Sequence, residues 1–176
     1  WSTATRPAAQ ELPKIWTGVY TEEQVKHGRE VFNTRCAHCH DENLTGGDGP
    51  ALVGAHFSRN WGSRTVNRLF MKIRDRMPPG ESFVATEKEK IDIVTYLLTM
   101  NGFPMGSKEL TTDPDLLNSL LIVGKNGPEP APTGAMVEVV GCLITQGADY
   151  ALSPATDPVV STMDDPAGDA KAFKGS

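Results

Sequence analysis

No run in this 176-residue sequence approaches the roughly 18 consecutive apolar residues that a membrane-spanning helix needs. Basic residues are scarce after residue 105, where 4 Lys and Arg stand against 10 Asp and Glu, while residues 1–105 are balanced at 13 against 12. The first absence predicts no membrane span. The second argues against nucleic acid as a partner, because phosphate backbones attract Lys and Arg.

Cysteine is also scarce, and two of the three cysteines lie in "RCAHCHDE", residues 35–42, as C-x-x-C-H. A zinc site usually takes two closely spaced ligand pairs, but the remaining Cys142 lies in a distant region. A thioredoxin-like switch needs a βαβ pattern, whereas this motif ends an amphipathic helical pattern. Covalent haem attachment fits every part of the motif: Cys36 and Cys39 bind one porphyrin and His40 binds its iron.

Three segments before residue 105 carry helix patterns and none carries a convincing strand pattern, so this part is predicted to be mainly α. The first starts at Thr21, the second spans 63–76 with an i, i+3, i+4, i+7 stripe, and the third spans 87–100. The first and third open with capping-box signatures. Gly28 inside the first helix costs ~1 kcal/mol relative to alanine, which predicts a close backbone, that of the 87–100 helix.

Composition divides the chain into four parts. We expect an N-terminal extension over 1–15, a helical haem domain over 16–106, a proline-rich linker over 107–133 with a possible short helix at 115–122, and a small β-rich region with a polar tail over 134–176. Trp16 and Tyr20 are expected to pack on the helical domain. Cys142 falls in an alternating strand pattern, which favours a buried free thiol, with an intermolecular disulfide as the alternative.

The second nitrogen of a ligating histidine is normally held by a carbonyl, and Pro50 in "GDGPALVG", residues 47–54, offers one. The stretch could instead be an ordinary proline turn. For the sixth ligand, Met77 in "RMPPG" is favoured, because Pro78 holds it extended and two prolines stiffen the loop. Met71 is predicted to face outward and Met100 to pack in the core. Histidine or an open position is the alternative. The candidate histidines are His27, His38 and His56.

Basic and aromatic residues follow the Pro50 turn, where they could pair with haem propionates. They are Arg59, Trp61 and Arg64. A further basic face on the 63–76 helix is either simply solvated or steers an acidic redox partner. It comprises Arg68, Lys72, Arg74 and Arg76.

These motifs resemble a class I cytochrome c: "CAHCH", "GPALVG", "RMPP", the Gly28-to-Phe32 spacing and a final helix with Tyr96. The resemblance covers about residues 15–106 and implies a helical fold around one covalent haem c with His40 and Met77 as axial ligands. "WTGVYTEEQVKHG", "LTGGDGPAL" and "YLLTMNGFPMG" are similar to monohaem domains that accompany periplasmic quinoprotein dehydrogenases.

The resemblance implies an electron-transfer protein rather than an enzyme, passing single electrons between redox proteins, with a quinoprotein dehydrogenase or a terminal oxidase as candidate partners. Two alternatives stay open: a haem enzyme or gas or redox sensor with an open or labile sixth position, and a structural subunit docked in a larger complex through its C-terminal region. Haem attachment of this kind implies a periplasmic or extracellular bacterial protein. The start at Trp1 is typical of a cleaved export signal or of a fragment.

Overall fold

The computed structural model describes residues 12–78, 85–128, 134, 137–139, 141–147, 149–155 and 159–160. Six helices follow a single 3₁₀ turn at Lys14–Thr17 within this described part. They are α1 Glu22–Arg35, α2 Ala37–His40, α3 Gly54–Trp61, α4 Val66–Arg76, α5 Glu87–Met100 and α6 Pro114–Asn118. The predicted 1–15 extension and the polar end of the tail lie almost wholly outside the described residues.

Two capping boxes fix the starts of α1 and α5, as the sequence predicts. The Thr21 hydroxyl accepts from the Gln24 amide while the Gln24 side chain accepts from the Thr21 amide. Thr86 and Glu89 make the same reciprocal pair before α5. Each box satisfies two N–H groups that a helix leaves without intrahelical partners, so both boundaries are encoded locally.

Helices α1 and α5 cross at Gly28, and the crossing confirms the close approach predicted there. A β-carbon added at Gly28 would lie 1.9 Å from the Asp92 carbonyl oxygen. All residues from Lys90 to Leu98 of α5 are buried, because α1 covers one face and α4 packs on another. Phe32 and Tyr96 stack across the α1–α5 contact with ring centroids 5.4 Å apart. The core of the domain therefore forms around α5.

Buried polar side chains at the start of this crossing form a network. Asp92 is fully buried and accepts hydrogen bonds from Gln24 Nε2 at 2.9 Å and from His27 Nδ1 at 2.8 Å. Lys88 Nζ lies 3.3 Å from the same carboxylate. Gln24 also bonds both backbone groups of Leu110. A buried carboxylate is tolerated because donors surround it, and the network ties residue 110 to both helices.

The segment predicted to begin a linker packs on the helical domain instead. Residues 110–123 contribute buried side chains to the same core. They are Leu110, Leu117, Leu120 and Ile122, and the adjacent Val123 is also buried. The predicted short helix is present as α6 but ends at Asn118. The apolar stretch at 115–122 is too short to show which element would cover it, so the burial of this segment could not be predicted from periodicity.

The lead-in packs on the domain, as expected from its aromatic residues. Trp16 stacks on Phe103 with ring centroids 4.9 Å apart, and its indole Nε1 donates to the Val123 carbonyl at 2.7 Å. Tyr20 is fully buried, donates from its hydroxyl to the Phe103 carbonyl at 2.8 Å and accepts from Thr99. The chain before α1 is thereby fastened to the end of α5.

We expect Tyr20→Phe to lower the free energy of unfolding by about 1–2 kcal/mol, because the buried Phe103 carbonyl loses its donor. Burial raises the pKa of Tyr20 to about 12, against a smaller lowering by the Thr99 hydrogen bond. A raised pKa in the folded state means that the stabilisation is complete below about pH 10 and is lost as the pH rises through about 12.

Urea unfolding at pH 8 and pH 11 measures both effects. The difference between wild type and Tyr20→Phe should shrink at the higher pH. Tyr150→Phe is the matched control, because the Tyr150 side chain is 72% exposed. Equal stability of wild type and Tyr20→Phe at pH 8 would contradict the assigned hydrogen bond.

Among the described residues after 134, four strands follow the helical part, in agreement with the predicted β-rich region. Strands β1 Val137–Glu138 and β4 Val159–Val160 pair antiparallel, as do β2 Gly141–Gln146 and β3 Asp149–Ala155. Cys142 on β2 is exposed, so the predicted buried thiol is wrong. Leu143 is 68% exposed beside it. Strand alternation shows that two faces differ, but it does not show which face another element covers.

One helix was not predicted from the sequence, and two expectations about methionines need correction. Helix α3 buries only Phe57 and is too short to show a periodic stripe, so the sequence did not predict it. Met71 packs partly against the core rather than facing outward. Met100 is 46% exposed rather than packed in the core.

No helix in the described ranges is both long enough and apolar enough to cross a membrane.

Candidate haem site

The C-x-x-C-H motif occupies one helical turn at the junction of α1 and α2. Cys36 ends α1, with its amide donating to the Phe32 carbonyl at 2.7 Å, and its own carbonyl accepts from the amides of Cys39 at 3.1 Å and His40 at 3.0 Å. Both cysteines are free and half-buried. Burial, and secondarily Cys39, raises the pKa of the Cys36 thiol to about 11. One turn therefore presents two thiols and an imidazole side by side.

The His40 ring is oriented by the loop that follows α2. Its Nδ1 lies 2.8 Å from the Pro50 carbonyl oxygen, the contact expected from the sequence. A carbonyl can only accept, so Nδ1 carries a hydrogen, and in the neutral ring the lone pair then lies on Nε2. Gly49 makes room for this arrangement, because a β-carbon there would lie 2.8 Å from the ring carbon Cε1. The ring is thus prepared to bind a metal through Nε2.

Backbone hydrogen bonds hold the loop from Asp41 to Val53 against α2. The Gly46 amide donates to the His40 carbonyl at 3.0 Å and the Gly49 amide to the Cys39 carbonyl at 2.8 Å. Farther along, the Leu52 amide donates to the carbonyl of Leu44, which is fully buried. The loop carrying Pro50 is therefore fixed to the helical turn that carries the histidine.

Met77 lies at the C-terminal end of α4, in extended backbone with φ −126° and ψ 135°, as the following Pro78 requires. Its side chain is half-buried. It stays a predicted ligand, because residues 79–84 of the loop that follows lie outside the described residues.

The three residues predicted to meet haem propionates lie in the last turn of α3 and in the turn that follows it, in different environments. Arg59 is exposed, Trp61 packs partly against the core, and Arg64 is buried at 5% exposure. Residues 120–122 form backbone hydrogen bonds with the turn before α4, and the Ile122 amide donates to the Arg64 carbonyl at 2.9 Å. The propionate role of all three stays a prediction.

The donor set and its surroundings fit covalent haem. Covalent haem requires two thiols three residues apart and a histidine whose Nδ1 is hydrogen-bonded, so that Nε2 can bind iron. Both are present, and Gly49 leaves space for the histidine ring. Residues 23–97 also match the family model described as cytochrome c oxidase, cbb3-type, subunit III. Residues 23–97 form a monohaem class I c-type cytochrome domain. A domain of this kind carries covalently bound haem c, and Cys36 and Cys39 stay its predicted attachment points.

One further comparison concerns a solved structure. The chain is similar to one chain of the sulfane dehydrogenase SoxCD from Paracoccus pantotrophus, at 20% identity and a TM-score of 0.45 over 82% of this chain and 86% of that one. A likeness of that size establishes neither fold nor function. No curated protein matches the sequence.

Two contributors to the cytochrome site were missed by sequence reasoning. The sequence motifs place Gly49 only within the turn before Pro50 and do not single out Asn101. The structure shows Gly49 against the His40 ring and Asn101 hydrogen-bonded to residues 52 and 54. The G-x-G spacing before Pro50 was a usable signal for the first. Contacts nearly fifty residues apart left no local signal for the second.

Proposed function

We propose that the cytochrome domain carries single electrons between redox proteins through a haem with His40 and Met77 as axial ligands. The hydrogen bond between His40 Nδ1 and the Pro50 carbonyl is the observation that carries this proposal. It fixes one imidazole edge and leaves the other for iron, as a permanently ligated carrier needs. Met77 in extended backbone before Pro78 supports the second ligand.

The residues of the chain would hold the haem in place and bury it. Cys36 and Cys39 would anchor the cofactor, and the Pro50 contact would keep the His40 ring from rotating. When bound, haem iron supplies the redox chemistry by alternating between its ferrous and ferric states, and thioether sulfur favours the ferrous state. No substrate bond needs to break, so the fold contributes ligand geometry, burial and access for a partner.

The proposed partners are redox proteins, with a quinoprotein dehydrogenase or a terminal oxidase as candidates, and the proposed location is the periplasm or cell exterior. The basic residues of α4 are a candidate partner surface: Lys72 and Arg76 are exposed, whereas Arg74 is paired with Asp75 at 2.7 Å. Cationic surfaces steer acidic partners over distances of about a Debye length, roughly 8 Å at physiological salt.

Met77→Ala tests the ligand set. We expect the wild-type ferric spectrum to contain a sulfur-to-iron charge-transfer band that this variant loses, and the reduction potential to fall because a ligand favouring ferrous iron is removed. Rapid carbon monoxide binding should appear in the ferrous variant only.

Met71→Ala and Met100→Ala are matched controls, since one removes a partly buried methionine of α4 and the other an exposed methionine of α5. Both should keep the band. Rapid carbon monoxide binding to the ferrous wild type would instead favour a sensor or enzyme with an open sixth position. If the sulfur-to-iron charge-transfer band persisted in Met77→Ala, Met77 would not be the sixth ligand.

A further inference from the structure

Asn101 joins the end of α5 to the loop that orients His40. Its Nδ2 donates to the Leu52 carbonyl at 2.9 Å and to the Leu97 carbonyl at 2.8 Å, and its Oδ1 accepts from the Gly54 amide at 3.1 Å. The amide orientation is fixed by this pattern, because a flipped group would set its oxygen against two carbonyls.

These contacts fall at the far end of the loop that carries Pro50. At the near end, the Gly49 amide is held by the Cys39 carbonyl at 2.8 Å. At the far end, Leu52 is held on both backbone groups, its amide by Leu44 and its carbonyl by Asn101. Pro50 lies between the two anchors and has no amide hydrogen of its own. The direction of its carbonyl is therefore set by the anchors on each side.

The hydrogen bond between His40 and Pro50 needs such support. Pro50 is exposed, so water can compete for its carbonyl oxygen. An exposed hydrogen bond persists only while its geometry is held, because water replaces either partner at little cost. A partner that orients a ligating histidine also raises the basicity of the ring.

We propose that Asn101 is a positioning residue for the haem ligand: by anchoring Leu52 and Gly54 to the end of α5, it aims the Pro50 carbonyl at His40 Nδ1 and so tunes the reduction potential. The proposal rests on the proposed function, in which His40 binds the iron. Asn101 touches neither the iron ligand nor the carbonyl that the ligand uses. It acts through the backbone of the loop.

Asn101→Ala in the haem-loaded protein removes all three contacts. A less firmly held imidazole is less basic and stabilises ferric iron less, so the reduction potential should shift upward. Exchange of the His40 Nδ1 hydrogen with deuterated water, followed by NMR, should become about tenfold faster, since one ordinary hydrogen bond is worth up to about a factor of ten in population.

Thr99→Val is the matched control for general loss of stability. Thr99 lies in the last turn of the same helix, and its hydroxyl bonds Thr95 and Tyr20 rather than the loop. This variant should unfold at a lower temperature while keeping the wild-type potential and exchange rate. If Asn101→Ala likewise lost only stability, Asn101 would be purely structural and the proposal would be overturned.

Asn101→Asp distinguishes the two donor contacts of the side chain from its acceptor contact. A carboxylate can still accept from Gly54 but cannot donate to Leu52 or Leu97, so it should shift the potential and the exchange rate as alanine does. Wild-type values in this variant would overturn the proposal.

Wild-type protein provides a measurement that needs no variant. The Gly54 amide and the His40 Nδ1 hydrogen should become exposed in the same local opening, and should therefore be equally protected against hydrogen exchange. Clearly different opening free energies for the two hydrogens would also overturn the proposal. Wild-type spectra without hyperfine-shifted His40 ring signals would reject the proposed function itself, which is a separate outcome.

Discussion

Replacement of both Cys36 and Cys39 by serine should give a colourless polypeptide after denaturation and acid extraction, with an intact mass equal to that of its amino acids alone. Wild-type protein, produced in a host that attaches haem c, should keep its colour and the mass of one haem. The reason is that each thiol is predicted to form one thioether, and two such bonds would be the covalent links between the chain and the cofactor. Absorption spectroscopy and intact-mass measurement check the result.

Loss of the cofactor should also reduce stability by several kcal/mol, because a large apolar group bound only by the folded chain stabilises the fold. Cys142→Ser is the matched control. It removes the exposed cysteine of the β region and should retain full haem content. A Cys36→Ser, Cys39→Ser protein that still held haem through denaturation would disprove attachment at this motif, and haem loss in Cys142→Ser would show that the third cysteine takes part.

Gly28→Ala should lower the free energy of unfolding by about 3 kcal/mol or more. Overpacking in a rigid core typically costs 1–3 kcal/mol, and here the new β-carbon would stand 1.9 Å from the Asp92 carbonyl oxygen and 2.4 Å from its carbon. Backbone atoms of a buried helix cannot rotate away, so α1 and α5 must separate. The gain in helix propensity, about 1 kcal/mol, is too small to compensate. Urea unfolding of the haem-loaded protein measures the loss.

Asn33→Ala is the control for Gly28→Ala, because Asn33 is exposed on the same helix. It should be neutral or slightly stabilising, since alanine is the better helix former. A Gly28→Ala protein as stable as wild type would mean that the two helices do not cross with their backbones in contact at this point. Since α1 leads directly into Cys36, separation of the helices should also broaden the haem signals.

Local sequence signals carried most of the helical prediction. Capping boxes at Thr21 and Thr86 encode the starts of α1 and α5 within four residues, and the range 87–100 agrees with the observed Glu87–Met100. The 63–76 prediction began three residues early, because Ser63 and Arg64 pair with Ile122 instead of entering the helix. The C-x-x-C-H pattern identified the cofactor by itself, since its chemistry is contained in five consecutive residues.

Long-range contacts decided what periodicity could not. Whether Met100 is covered, whether Cys142 is buried and whether residues 110–123 join the core all depend on which element packs opposite, and that information is spread over distant parts of the chain. Charge counts likewise could not show that Arg64 is buried while Arg59 is exposed.

The sequence by itself determined the main helix starts, the close glycine contact in α1 and the covalent haem, because capping, helical period and thioether chemistry act over a few neighbouring residues. Only the tertiary structure decided how the far end of the loop that carries Pro50 is held. It brought Asn101 across from the end of α5 to Leu52 and Gly54, whereas the contact between Pro50 and His40 was predicted from the sequence. The Asn101 contacts form when packed helices bring distant segments together, so no short stretch of sequence encodes them.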